Sequence, residues 1–227
     1  MVVAEIKLFE EIRDTLKNYK KILVVGCGAC VTVCLSGGRK QVELLASALR
    51  TSRKVEGDEV MVGEMVIPRQ CEPKFVDMIK DEAGKYEVIL SMGCGAGVQG
   101  IAERIINIPV LPALNTTFIG LADEKGQYLE VCAACGDCIL SKTGGICPVA
   151  RCAKSLINGP CGGSRGGMCE VSKDNPCVWQ LIYDRLVKLN MLYLLKGISQ
   201  PKTKSVHPRR MVREDLTSKK EPTKGVK

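Results

Sequence analysis

Eight of the thirteen cysteines fall between Cys132 and Cys177, in an order that could hold metal. Cys132, Cys135 and Cys138 are each separated by two residues, and Cys147-Pro148, Cys152, Cys161, Cys169 and Cys177 follow. A C-x2-C-x2-C triplet lets one short loop offer three thiolates to three corners of an iron–sulfur cube, and a later Cys-Pro follows in the order of the bacterial ferredoxin signature. The fourth thiolate then comes from a more distant cysteine. The chemistry this implies is electron transfer.

Eight cysteines make two sets of four. Two cubes with ligands crossing between them would use all of them, as in two-cluster ferredoxins. One cube plus a four-cysteine zinc site fits as well, because tetrahedral zinc takes the same thiolates and C-x2-C is also a zinc spacing. The triplet with its Cys-Pro favours iron.

The remaining five cysteines point to a second location. Gly-Cys-Gly-Ala occurs at 26–29 and again at 93–96, each time directly after an apolar run. Gly26, Gly28, Gly93 and Gly95 would permit unusual dihedrals and close approach of backbone to a bulky inorganic group. Their N–H groups could bond cluster sulfurs. Cys27, Cys30 and Cys34 form a C-x2-C-x3-C set, and Cys71 and Cys94 bring the candidates to five, one more than a cube needs. Cys27, Cys30, Cys71 and Cys94 are the preferred four, with Cys34 expected inside the next helix.

Other chemistries fit less well. Gly26-x-Gly28 follows a strand-like run, but position 31, where a dinucleotide fingerprint needs glycine, is Val31. Gly37-Gly38-Arg39-Lys40 lacks phosphate-loop spacing and reads as a turn. The sole histidine, His207, lies in a basic tail and reads as a solvated residue rather than a base. Asp137 reads as a loop carboxylate. A redox thiol pair such as Cys27 and Cys30 is a separate alternative, which leaves eleven cysteines unexplained.

The elements that must position these thiols follow from hydropathy. Residues 6–19 place Ile6, Phe9, Ile12 and Leu16 at helical spacing. Apolar runs at 21–25 and 86–92 read as buried parallel strands, with further strands at 60–67 and 108–111. Helices are expected over 41–51, 74–82 and 98–106. Alternating strands and helices predict a small Rossmann-like or flavodoxin-like α/β domain over 1–125, with its cysteines at the C-terminal edge of the sheet. Residues 126–197 form a cysteine-rich, loop-rich cluster domain ending in a helix. That helix starts at Asn175-Pro176 and carries Val178, Ile182, Leu186, Leu189 and Tyr193 as its apolar stripe. Residues 198–227 form a basic tail.

Composition narrows the class. The 227 residues carry a formal charge of +8, but residues 196–227 hold ten Lys/Arg against three Asp/Glu, which leaves +1 for the rest. Metal-bound thiolates would lower that balance further. With aromatics at 4%, a stacking platform for nucleic acid is disfavoured. No apolar stretch approaches a membrane span, and no signal sequence is recognisable, so a cytoplasmic, membrane-free protein is expected. In a reducing compartment cysteines serve metals better than disulfides. A zinc-stabilised binding module whose basic tail contacts an acidic partner is the non-redox alternative.

Cys132-Ala-Ala-Cys-Gly-Asp-Cys138, Thr143-Gly-Gly-Ile-Cys-Pro148, Arg151-Cys152-Ala-Lys and Asn158-Gly-Pro-Cys-Gly-Gly163 together resemble the methylenetetrahydrofolate reductase C-terminal-type domain family. This family includes the small iron–sulfur, zinc-finger-like subunit of acetogen-type reductases. Gly26-Cys-Gly-Ala-Cys30 and Asn115-Thr-Thr-Phe-Ile-Gly120 extend the similarity over residues 20–195, without the tail. The two groups of cysteines predict at least two 4Fe-4S clusters, and as many as three, with zinc as an option at one site. The resemblance implies a flavin-containing TIM-barrel catalytic partner that reduces methylene-tetrahydrofolate, with ferredoxin or further electron-transfer subunits as donors. No flavin is expected in this chain, which has no room for a barrel of about 250 residues.

Overall fold

The computed structural model describes residues 1–202 and 209–211. Most of the basic tail, His207 included, lies outside the described residues.

Two apolar runs build the centre. In β2 (Lys21–Cys27) and β4 (Val88–Met92) almost every residue is buried, as expected of strands covered on both faces. They pair in parallel with β3 (Met61–Ile67) and β5 (Val110–Pro112) in the order β3-β2-β4-β5. Alternate side chains of β2 serve opposite layers. Ile22 and Val24 pack with Ile12 and Leu16 of α1 (Phe9–Leu16) and with Val42, Leu45 and Leu49 of α3 (Arg39–Val55). Leu23 and Val25 pack with Val76, Ala83 and Ile101. Those three come from α4 (Pro73–Asp77), α5 (Lys80–Ala83) and α6 (Gly95–Arg104). One turn of helix, α2 (Cys30–Val33), sits between β2 and α3.

A second sheet was not foreseen. β1 (Val2–Ile6), β6 (Leu114–Ala122) and β7 (Tyr128–Cys132) form an antiparallel sheet in the order β1-β6-β7. Ile6 therefore ends a strand instead of opening the first helix. The β6–β7 hairpin runs through residues 125 and 126, where a domain boundary was expected, and delivers Cys132 at its end. Tyr128 Oη donates to the Val33 carbonyl at 3.0 Å, tying this sheet to the turn after Cys30.

The helix expected over 74–82 is broken into α4 and α5, and Met78 between them points to solvent. Arg53, buried on α3, donates to the carbonyls of Leu16, Lys17 and Tyr19 and pairs with Asp58, so its guanidinium satisfies the free end of α1.

Beyond Cys132 regular structure is sparse: α7 (Pro148–Arg151) and α8 (Val178–Lys188), with short 3-10 turns at Leu140–Lys142 and Leu192–Lys196. Cys177 caps α8, so Pro176 precedes the helix rather than opening it. Val178, Trp179, Ile182 and Leu186 are buried, whereas Leu189 and Tyr193 are exposed after the helix has ended. Asn190, at φ 55°, turns the chain there. A core of four buried apolar side chains is small for some 70 residues, the situation in which domains use metals as staples.

Candidate metal centres

In a doubly wound sheet, ligands bind where the strand order reverses, beyond the strand C-termini. Here the order reverses between β2 and β4, and these are the strands that end in Cys27 and Gly93-Cys94. Cys71 reaches the same edge from the loop after β3. Cys27 Sγ lies 4.0 Å from the Pro68 carbonyl of that loop. Partial burial, then the neighbouring Cys94 and Cys27 sulfurs, push the Cys71 thiol up from its ordinary value. Cys94 and Cys27 thus lie near enough to disfavour the Cys71 thiolate, and a bound cationic group would relieve that penalty.

The other two N-terminal-domain cysteines differ. Cys30 begins α2 and is half-buried. Cys34 lies just past that helix and turns the other way, with its sulfur 3.3 Å from Ser36 Oγ and 3.8 Å from the Ala4 carbonyl of β1. Cys34 is thus occupied with protein partners, while Cys27, Cys71 and Cys94 share a neighbourhood.

The four glycines also divide. A Cβ on Gly26 would stand 2.6 Å from Val42, and one on Gly93 2.1 Å from Gln70, so packing alone explains both. A Cβ on Gly28 or Gly95 would meet nothing closer than 3.5 Å. None of the four has positive φ, so the expected unusual dihedrals are not what these positions use. Close approach to protein is the better explanation at Gly26 and Gly93, while a Cβ at Gly28 or Gly95 would make only ordinary van der Waals contact.

Gln70 holds this edge together and carried no signal in the sequence. Fully buried, it donates to the Val25 carbonyl at 2.8 Å and accepts from Ser91 Oγ at 2.6 Å. Ser91 Oγ in turn accepts the Gly93 N–H at 3.1 Å. Thr32 Oγ1 donates to the Cys27 carbonyl at 2.7 Å, and Thr116 Oγ1 accepts the Gly95 N–H at 2.8 Å. Short polar side chains like these are common in turns, so a sequence gives no reason to single them out.

In the cysteine-rich segment, Cys132, Cys135 and Cys138 sit in a loop coiled by Ala134 at φ 50° and Gly136 at φ 85°. The Ala134 N–H points at Cys132 Sγ at 3.4 Å. A non-glycine residue in this region is strained, and such strain concentrates at functional loops. Asp137 is exposed and ion-paired to Lys202 at 3.2 Å. Cys161 Sγ receives the Gly163 N–H at 3.4 Å and lies 3.3 Å from the Glu170 carboxylate, itself paired with Lys154. Backbone N–H groups of Ser172 and Val171 lower the Cys169 thiol from its ordinary value. N–H···S bonds of this kind favour the thiolate, the form that binds metal.

Among the described residues, no three His, Cys, Asp or Glu side chains are drawn tightly enough to close on a single ion. The thiols are gathered into neighbourhoods, not onto a point. Their donor chemistry, soft sulfur with backbone N–H support, suits iron–sulfur clusters and zinc alike.

Residues 111–205 match the family model described as methylene-tetrahydrofolate reductase C terminal. The matched region begins in β5 and takes in every cysteine from Cys132 to Cys177. It leaves out Cys27, Cys71 and Cys94 on the parallel sheet. No curated protein matches the chain. A solved structure described as a putative branched-chain amino acid ABC transporter from Rhodospirillum rubrum aligns at 18% identity and a TM-score of 0.30. That alignment spans 46% of this chain and 28% of the transporter chain, too slight a likeness to carry an argument. Among the described residues no helix is long and apolar enough to cross a membrane.

Proposed function

We propose that this chain is the iron–sulfur electron-transfer subunit of a methylenetetrahydrofolate reductase complex, working beside a flavin-bearing catalytic partner in the cytoplasm. The observation that carries the reading is that Cys27 and Cys94 follow the two strands flanking the sheet's switch point, with Cys71 in the loop after β3 at the same edge. The same chain matches a reductase-associated family across its eight other clustered cysteines.

Bound clusters would supply one-electron storage. The chain's own residues do the rest. Cys27, Cys71 and Cys94, with Cys30 as the fourth ligand expected from the sequence, would hold a cluster on the α/β edge, while the cysteines from Cys132 to Cys177 would hold one or two more. Gln70 and Ser91 fix the spacing of the loops, and backbone N–H groups at Ala134, Gly163 and Val171 set the charge on the sulfurs. The exposed Leu189 and Tyr193 beyond α8 offer apolar surface for the catalytic partner.

The test is anaerobic purification of the chain with the flavoprotein subunit. Iron and acid-labile sulfide in multiples of four per chain, and cluster absorption bleached by dithionite and restored by the partner's oxidised flavin, are expected. A colourless chain with stoichiometric zinc and no sulfide would sink the proposal.

A further inference from the structure

Four of the eight cysteines in the cysteine-rich segment line one small cavity: Cys152, Cys161, Cys169 and Cys177. Cys132, Cys135, Cys138 and Cys147 do not line it. The separation of Cys147 from Cys152 is the informative one, because only α7 stands between them. Cys147 caps its N-terminus and Cys152 its C-terminus, about 7.5 Å apart along the axis at the helical rise per residue. If ligands crossed between two clusters in the ferredoxin manner, the cysteine before the proline would join the distal group. The cavity takes Cys152 instead.

The surroundings of the four suit one centre. Cys152 and Cys177 pack on the small core of Trp179, Ile182 and Leu186, so two thiols stand on fixed supports. Cys161 and Cys169 come from flanking loops, each with backbone N–H groups two or three residues onward directed at its sulfur. Gly162 at φ 80° turns the first of these loops back on itself. Lys154 and Glu170 pair across the cavity wall and tie α7's exit to the second loop.

We infer that Cys152, Cys161, Cys169 and Cys177 are the complete ligand set of one self-contained metal centre, and that Cys132, Cys135, Cys138 and Cys147 serve a different one. This rests on the reading that the cysteine-rich segment binds metal, but not on which metal. A closed four-thiolate set would join α7, both loops and α8, and so staple a domain whose apolar core is too small to hold those loops.

Trp179 is the only tryptophan in the chain and lines the cavity, with its indole N–H held by the Leu156 carbonyl at 3.0 Å. Its emission therefore reports on this centre. In the full-length chain purified anaerobically, Cys161→Ser and Cys169→Ser should each lose the same share of metal and raise Trp179 emission several-fold, as an iron–sulfur absorber beside the indole is lost. Cys135→Ser and Cys147→Ser should lose the other share and leave the emission unchanged. Emission rising with Cys147→Ser as it does with Cys161→Ser would overturn the assignment. Stepwise stripping of the unmutated chain with a chelator, followed by thiol alkylation and mass mapping, covers variants that do not fold. Cys152, Cys161, Cys169 and Cys177 should become reactive together, and Cys147 reacting in their company would be fatal. A chain that carries zinc alone would sink the electron-transfer reading, and the same mapping would still decide the ligand set.

Discussion

Ser91 donates its hydroxyl to the Gln70 side-chain carbonyl at 2.6 Å, with both residues fully buried. Gln70 stands immediately before Cys71, and Ser91 lies three residues before Cys94. Through the Gln70 amide the link continues to Val25, two residues before Cys27. One carboxamide therefore spans the three segments that bring thiols to the sheet edge. Gly93 and Gly97 give its side chain room, since a Cβ on either would fall within 2.9 Å of Gln70 side-chain atoms, and one on Gly100 would come equally close to the Gln70 backbone carbonyl.

Replacing Gln70 with alanine should cost about 2–4 kcal/mol. It leaves the Ser91 O–H without its acceptor and takes the side-chain donor from the Val25 carbonyl, at about 1–3 kcal/mol for each group left unsatisfied, and opens a cavity besides. Urea unfolding of the metal-free chain measures this. A loss under 1 kcal/mol would show that water or a neighbour takes over the role.

Two glycines at the same edge should behave oppositely. At Gly37 a Cβ would stand 1.9 Å from the Met92 carbonyl oxygen, so Gly37→Ala should destabilise by about 3 kcal/mol or more, since backbone cannot yield as a side chain can. At Gly28 the nearest atoms are at 3.5 Å, so Gly28→Ala should leave metal-free stability within about 0.5 kcal/mol. Metal retained per chain should fall in Gly28→Ala if a cluster occupies the space beside it. Thermal melts and metal analysis of the two variants separate these effects.

What the sequence reveals of this fold depends on how much of each element is buried. β2 and β4 are covered on both faces, and their unbroken apolar runs announce them. β6 leaves most of its residues exposed, so Leu114–Ala122 offers no alternation to read. β1 was hidden differently, because Ile6 also fits the helical spacing of α1. The thiol-bearing positions were legible because cysteine flanked by glycine after a strand is rare in composition and specific in chemistry. Their braces were not. Gln70, Ser91 and Thr32 are ordinary polar residues, and only the backbone path shows that they meet the cysteine-bearing loops. In the cysteine-rich segment no periodicity exists to place one cysteine beside another, so the grouping of Cys152 with Cys177 needed three dimensions.

Asp77 and Arg104 link α4 to α6 in a two-pronged pair, with Lys80 also on Asp77 Oδ1, at 2.7 Å. The Arg104 and Lys80 hydrogen bonds hold the Asp77 carboxyl down at about 2. Because the folded value is depressed below the ordinary 3.8, the pair contributes stability above that ordinary value and loses it as pH falls through about 2. Asp77→Asn should therefore melt lower than the parent chain by a constant margin above about pH 5, and the two melts should converge near pH 2. The site is exposed, so added salt should also narrow the margin. A margin independent of both pH and salt would assign the effect to packing.

Cys34 and Cys71 give opposite predictions for a single-atom change. The sulfur of Cys34 faces Ser36 and the Ala4 carbonyl, in contact with the core between β1 and α2, so Cys34→Ser should keep the metal content of the α/β domain. Its cost should be one of stability, about 1 kcal/mol for placing a more polar hydroxyl in a partly buried site that already offers hydrogen-bond partners. Cys71 has little packing to lose, being largely exposed, and its sulfur lies among those of Cys27 and Cys94. Cys71→Ser should therefore leave the metal-free chain as stable as its parent, while the share of iron and sulfide held by the α/β domain falls by more than half. Serine is a poor substitute here because a hydroxyl is hard to deprotonate and binds soft iron weakly, so the preserved shape would not rescue the site. Metal analysis beside urea unfolding for the two variants decides the matter. Metal lost from Cys34→Ser and retained by Cys71→Ser would place the cluster on the other side of α2.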